Sequence, residues 1–169
     1  DRGMIIRRGR LDDVAAIYRL VAVAFAGMPY SDGSEADIIR RLRKAGALSL
    51  ALVAEEEGRP VGHIAFSPVG ISDGTDGWFG LGPLAVDPAF QRREIGTSLV
   101  LGGLELLKDE DARGVVVLGA PGFYQRFGFR HEPALTLEGA PPDHFMALDF
   151  DGHVPRGKVA YHRAFYGEV

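Results

Sequence analysis

Apolar residues recur every three or four positions through Ile17, Leu20, Val21 and Phe25, and again through Ile38, Ile39 and Leu42. That spacing predicts two amphipathic helices. The first begins at Leu11-Asp12-Asp13, where acidic residues suit the positive end of the helix dipole. The second follows Ser34-Glu35-Ala36-Asp37, which resembles a capping box, so Glu35 and Asp37 read as helix-start residues rather than catalysts. Residues 27–33 form the loop between them. Elsewhere the pattern shortens to that of strands: residues 4–8, then 48–54 and 60–69 joined by the hairpin turn Glu56-Glu57-Gly58-Arg59, then 78–86 after a turn at 73–77. Helical spacing returns in Ile95, Leu99, Leu106 and in Val100, Leu104, Leu107. The Gly102-Gly103 pair inside that helix costs about 1 kcal/mol per glycine relative to alanine, which predicts close approach of the helix to the sheet. Residues 115–118 read as a parallel strand and 120–129 as a short helix ending on a glycine. Residues 130–137 and 144–150 are expected to form a closing antiparallel pair. Strands, a crossover helix and another strand imply an α/β fold with a mixed sheet and helices on both faces.

One segment carries chemistry. A buried strand ends in Leu84-Ala85-Val86-Asp87-Pro88, and Gln91-Arg92-Arg93-Glu94-Ile95-Gly96-Thr97-Ser98 then turns into the long helix. A helix start leaves N–H groups without intrahelical partners and carries partial positive charge, so it can hold phosphate oxygens. Just upstream, Gly80-Leu81-Gly82-Pro83-Leu84-Ala85 satisfies the dinucleotide-binding pattern literally, but no helix opens there and the segment stays extended, so a nicotinamide enzyme is a poor reading. The turn itself resembles the Q/R-x-x-G-x-G/A pyrophosphate loop of the GNAT superfamily of acyl-CoA-dependent N-acyltransferases, with Glu94 in place of the first glycine. A second segment, Leu118-Gly119-Ala120-Pro121-Gly122-Phe123-Tyr124-Gln125-Arg126-Phe127-Gly128-Phe129, is similar to the superfamily's fourth helix and to a bacterial branch of predicted acetyltransferases. The resemblance runs from about Met4 to Phe150, and the whole chain, 1–169, reads as a single domain.

The resemblance implies a central, mostly antiparallel sheet with a splayed parallel strand pair. It implies that acetyl-CoA is the cosubstrate, held by Gln91, Arg92, Arg93, Glu94, Ile95, Gly96, Thr97 and Ser98 at its diphosphate and by Leu84, Ala85 and Val86 along its pantetheine arm. It also implies that Tyr124 lies beside the coenzyme sulfur, as a proton or hydrogen-bond donor, and that the acetyl group passes directly to an amine of a small molecule or protein. No carboxylate lies in residues 79–83 to serve as general base. His63, a titratable residue on a strand, is the candidate, with a hydrogen-bonded structural histidine as the alternative. Arg126 and Arg130 read as solvating a helix end rather than binding phosphate. A carboxylate at position 94 repels a diphosphate and favours the rival reading, a noncatalytic acyl-CoA sensor or partner-binding module.

Composition narrows the classes further. With 169 residues, 46% hydrophobic and 25% charged, the chain can bury one full core. A formal net charge of −4 argues against nucleic acid as a partner. No cysteine is present, which excludes a cysteine-linked acyl-enzyme, and the five histidines show no metal-ligand spacing, so no metal is expected. No apolar run reaches membrane-spanning length, and charged residues precede the first apolar segment, so neither a membrane nor a signal peptide is expected and the location is read as cytoplasmic. The oligomeric state is not legible, a homodimer being one option.

Overall fold

The computed structural model describes residues 3–91 and 93–167. Its elements are β1 (Met4–Arg8), α1 (Val14–Phe25), α2 (Glu35–Lys44), β2 (Leu50–Glu56), β3 (Arg59–Pro68), β4 (Gly70–Ile71), β5 (Trp78–Val86), α3 (Ile95–Asp109), β6 (Gly114–Leu118), α4 (Pro121–Tyr124), β7 (Leu135–Thr136), β8 (Phe145–Asp149) and β9 (Gly157–Ala160). Six strands form one sheet in the order β1-β2-β3-β5-β6-β8, antiparallel except for the β5–β6 pair. A smaller sheet, β4-β9-β7, covers part of one face.

Alternation along β3 divides the molecule into layers, because successive side chains of a strand point to opposite faces. Gly62, Ile64 and Phe66 face α3, and a Cβ on Gly103 would stand 2.4 Å from the Phe66 ring. The expectation of close approach therefore holds at Gly103. It fails at Gly102, where a Cβ would make ordinary contacts at 3.5 and 3.6 Å. His63, Ala65 and Ser67 point the other way, where Ile17, Val21 and Ala24 of α1 pack over Val53 and Ala85. The start of α1 is tied to the sheet by Arg7, which donates to both carboxylate oxygens of buried Asp13 at 2.8 and 2.9 Å and to Glu55 at 2.8 Å. At the β2–β3 hairpin both central residues, Glu57 and Gly58, take positive φ, the geometry that matches the right-handed twist of paired strands.

Two local expectations are corrected. Ser34 does not cap α2; its hydroxyl donates to Asp32 and its own backbone is helical, while Glu35 accepts from Ser31. Residues 130–137 and 144–150 do not form the closing pair. β8 pairs with β6 across its whole length, β7 pairs in parallel with β9, and only an isolated bridge joins Arg130 to Ala147. β8 uses one edge for β6, and at its other edge the ladder begun by Arg130 does not continue, Pro133 having no N–H to donate.

Candidate active site

β5 and β6 run side by side only from Trp78↔Gly114 to Leu81↔Val117. Beyond Leu81 the register of β5 against β3 slips by one residue at Gly82-Pro83, a bulge that turns β5 away from β6 while it keeps its pairing to β3. The splay expected from the glycine and proline is therefore present. In the resumed ladder, Asp87 N–H donates to Val61 C=O at 2.8 Å, and the two-residue alternation of an antiparallel pair gives Ala85 the same inward role opposite His63. Leu84 and Val86 then turn their N–H and C=O groups toward the open side. Val86 C=O does accept there, from Gln91 Nε2 at 3.4 Å. Of the three strand residues expected along a pantetheine arm, two offer backbone groups and Ala85 offers only its methyl.

α3 starts against this opening. The first helical bond is Ser98 N–H to Glu94 C=O, 3.0 Å, so the N–H groups of Glu94, Ile95, Gly96 and Thr97 precede the ladder while that of Ser98 is consumed by it. The Ile95 side chain is buried against Gly62, leaving its backbone alone for a ligand. Glu94 adopts φ 61° and ψ 20°, the left-handed conformation for which glycine is the usual residue, and its side chain is 73% exposed with Oε1 4.0 Å from Arg126 Nη1. Arg93 turns toward the hairpin, donating to Glu56 at 2.9 Å and lying over the Phe90 ring at 5.3 Å. Arg92, also expected at the diphosphate, falls outside the described residues.

Between the strand and the helix lies a groove of about 230 Å³, floored by Leu84, Ala85, Val86, Gln91 and Gly96 and walled by Phe123 of α4 and by Ala24, Phe25 and Met28 at the end of α1. The α1 residues carried no sequence motif, and only the fold brings them here. Arg126 was expected to do no more than solvate a helix end. Instead its Nη2 donates to Thr97 Oγ1 at 2.7 Å and its guanidinium covers the Phe123 ring at 5.0 Å, placing a cation at the start of α3. Arg130 stays away from the groove and pairs with Glu132. Tyr124 is buried with its ring against Gly119 and edge-on to Phe123 and Phe129. Burial pushes its phenol well above the ordinary tyrosine range, so it keeps its proton at any working pH.

His63, the candidate general base, is poorly placed for that role. It is 0% exposed, neither ring nitrogen has a hydrogen-bond partner among the described residues, and burial, assisted by the charge of Arg43, pushes its pKa down to about 4. A ring that resists protonation and is sealed under α1 is a poor acceptor for an amine's proton. Among the described residues no group of His, Asp or Glu is arranged to hold a metal ion, and no helix is long and apolar enough to cross a membrane.

A strand that parts from its parallel neighbour, facing a helix start whose first N–H groups bond no described residue, is the arrangement of acyltransferases that seat an extended thioester coenzyme. The chain belongs to the acetyltransferase (GNAT) family, whose profile matches residues 14–129. It is 40% identical over 144 residues to the uncharacterized N-acetyltransferase YhbS of Escherichia coli K12, covering 80% of this chain and 86% of that one. A GNAT family acetyltransferase from Brucella melitensis, solved in complex with acetyl-CoA, superposes with a TM-score of 0.87 at 44% identity, over 98% of this chain and 99% of the other. Escherichia coli YhbS, solved with CoA, superposes with a TM-score of 0.86 at 32% identity, over 96% of this chain and 92% of its own. The protein is thus an N-acetyltransferase of this family, with the acceptor unidentified.

Proposed function

We propose that this protein transfers the acetyl group of acetyl-CoA directly to an amine, with the diphosphate at the start of α3 and the pantetheine arm in the fork beside β5. The carrying observation is one groove in which Leu84 and Val86, with backbone groups turned outward from the ladder, face Gly96 at the start of α3, where the N–H groups of residues 94–97 precede the helical ladder. N–H groups at a helix start suit phosphate oxygens, and outward groups of a parted strand suit the amides of an extended arm. Thr97 Oγ1 and Arg126 add a hydroxyl and a cation at the same end. Gln91, adjoining Val86, closes the strand side, while Arg93 and Ser98 flank the turn without offering groups as direct as those of the first helical residues. A neutral amine attacks the thioester carbon; the C–N bond forms as the C–S bond breaks, the sulfur takes a proton, and the amine's surplus proton leaves to water. Tyr124, the buried protonated phenol on α4, donates a hydrogen bond toward the departing sulfur, any proton it passes on being regained from the water that accepts the amine's proton, and backbone N–H at Val86 polarises the carbonyl. A cytoplasmic site of action remains part of this reading.

Replacing Tyr124 with phenylalanine keeps the ring and its edge contacts and removes only the hydroxyl. The expected result is a drop in kcat of roughly ten-fold or more with acetyl-CoA affinity nearly unchanged; equal turnover on an identified acceptor returns Tyr124 to the role of a packing aromatic. The reading as a whole is tested by a thermal-shift titration with acetyl-CoA followed by thiol release across an amine panel. Saturable stabilisation with turnover supports it, stabilisation without turnover on any amine favours a sensor, and no stabilisation overturns both.

Glu94 is the observation that favours the sensor, since its carboxylate sits at the turn that would face a diphosphate. Two separate costs are attached to it. A left-handed conformation costs a non-glycine residue about 1–2 kcal/mol, and charge repulsion through solvent adds about 1 kcal/mol at a separation near 5 Å. Glu94→Gly is expected to raise the thermal midpoint of the ligand-free protein and to tighten acetyl-CoA roughly three- to ten-fold at low ionic strength, with a smaller gain in high salt. Calorimetry showing a gain that is independent of salt would remove repulsion from the account, leaving the backbone term alone.

A further inference from the structure

The left-handed residue Glu94 stands between two neighbours whose side chains are anchored on the β2–β3 hairpin. On one side, Ile95 is buried, and a Cβ on Gly62 of β3 would stand 2.8 Å from its Cγ2. On the other, Arg93 Nη2 donates to Glu56 Oε1 at 2.9 Å, across 37 positions of sequence. Glu56 is a fixed point. It is the last residue of β2, paired with Met4 of β1 on one edge and with Arg59 of β3 on the other, and its side chain is only 14% exposed. Arg59 reaches the same place: its guanidinium lies 5.4 Å from the centroid of the Phe90 ring, and that of Arg93 lies 5.3 Å from it. Phe90 in turn packs against the core shared by α3 and the sheet.

A residue that carries a Cβ keeps a left-handed backbone only where its surroundings over-determine it. Glu94 does so at φ 61° and ψ 20°, and that conformation sets the direction of the N–H groups at the start of α3. Glycine would reach it unaided; glutamate needs both neighbours held. The core holds Ile95 wherever α3 packs on the sheet, which leaves Arg93 to be held by the hairpin. We propose that Glu56, acting through Arg93, fixes the turn at Glu94 in its ligand-ready shape and so stands in for the glycine that position 94 lacks. Glu56 is a positioning residue: it is not among the residues that line the groove. Fully exposed ion pairs contribute little, but a pair whose carboxylate is mostly covered is screened less by salt and water. Its effect on coenzyme affinity rests on the proposed placement of the diphosphate at the start of α3; its hold on the backbone does not.

Hydrogen exchange reads that hold without ligand. Ser98 N–H closes the first helical bond onto Glu94 C=O, so its exchange reports on this turn, while Val116, buried in the middle of β6, reports on the fold as a whole. In Glu56→Ala, Ser98 exchange is expected to quicken by roughly five-fold or more beyond any change at Val116. Adding Glu94→Gly is expected to restore it; adding Glu94→Gln, which removes the charge but keeps the Cβ, is not. An unchanged Ser98, or equal changes at Ser98 and Val116, overturns the proposal. In calorimetry, Glu56→Ala is expected to weaken acetyl-CoA by roughly five- to ten-fold in the wild-type and Glu94→Gln backgrounds, and by less than about two-fold in the Glu94→Gly background. In amine-dependent thiol release the KM for acetyl-CoA should rise by the same factor with kcat unchanged. Equal losses in all three backgrounds overturn the coupling to the left-handed turn. Tighter binding also overturns it, since Glu56 would then be withholding Arg93 from the phosphates. If Glu56→Ala is too unstable to titrate, Glu56→Gln, which keeps the bulk and loses the charge, is expected to show the same pattern with losses of about two- to three-fold. A wild-type protein that binds no acetyl-CoA overturns the placement of the diphosphate, and Ser98 exchange still decides the role of Glu56.

Discussion

Gly96→Val is expected to weaken acetyl-CoA binding by a hundred-fold or more while leaving the protein folded. A Cβ at Gly96 would lie 3.7 Å from Phe123, 3.8 Å from Val86 and 4.0 Å from Leu84, ordinary contact distances, and the residue does not take a positive φ. The protein alone therefore accepts a side chain here. These three neighbours, however, line the groove, so valine's methyl groups fill the space between strand and helix that an extended coenzyme needs. A hundred-fold loss corresponds to about 2.8 kcal/mol, which steric exclusion from a narrow groove readily supplies. Replacing a helical glycine also relieves some backbone entropy, so the melting temperature of the ligand-free variant is expected to be equal or slightly higher. Calorimetry that finds wild-type affinity in a normally folded variant would place the coenzyme elsewhere. A variant that binds weakly because it is misfolded would be exposed by its own melting curve.

His63 is expected to make the fold acid-sensitive. Its pKa is pushed down to about 4 in the folded chain, first by burial and then by the charge of Arg43, with Asp13 opposing weakly, against about 6.5 when unfolded. Between those values the unfolded chain binds the extra proton and the folded chain does not. Stability is therefore fully present above pH 6.5 and declines as pH falls toward 4, by about 3 kcal/mol from this residue. Urea denaturation from pH 7 to 4 should show that slope, and His63→Gln, which cannot ionise, should flatten it. An undiminished slope in the variant would assign the acid sensitivity to other groups. The same variant separates structure from catalysis: since His63 is sealed beneath α1, its loss is not expected to remove an ionisation from the pH profile of turnover.

The site was legible in the sequence where its geometry is made locally. Free N–H groups follow from the helix start at Ile95 whatever surrounds it, and the parting of β5 follows from Gly82-Pro83 interrupting the ladder; both depend on residues close in sequence. The position of Glu94 was legible for the same reason, and so was the covering of Gly103 by an unknown neighbour. Identifying that neighbour as Phe66 required the packed layers. Tertiary structure alone decided what depends on distance between segments remote in sequence. It brought Phe25 and Met28 to the groove, set Arg126 on Thr97 across 29 positions, and paired β8 with β6 instead of with residues 130–137. It also decided the chemistry of His63. Periodicity showed a titratable ring on a strand, but its pKa is a sum over everything packed around it in space: α1 above, Arg43 from α2, and no hydrogen-bond partner among the described residues. A strand pattern specifies that a side chain points to one face; which helix seals that face, and so whether the group there can exchange a proton, is fixed only when the whole chain has folded.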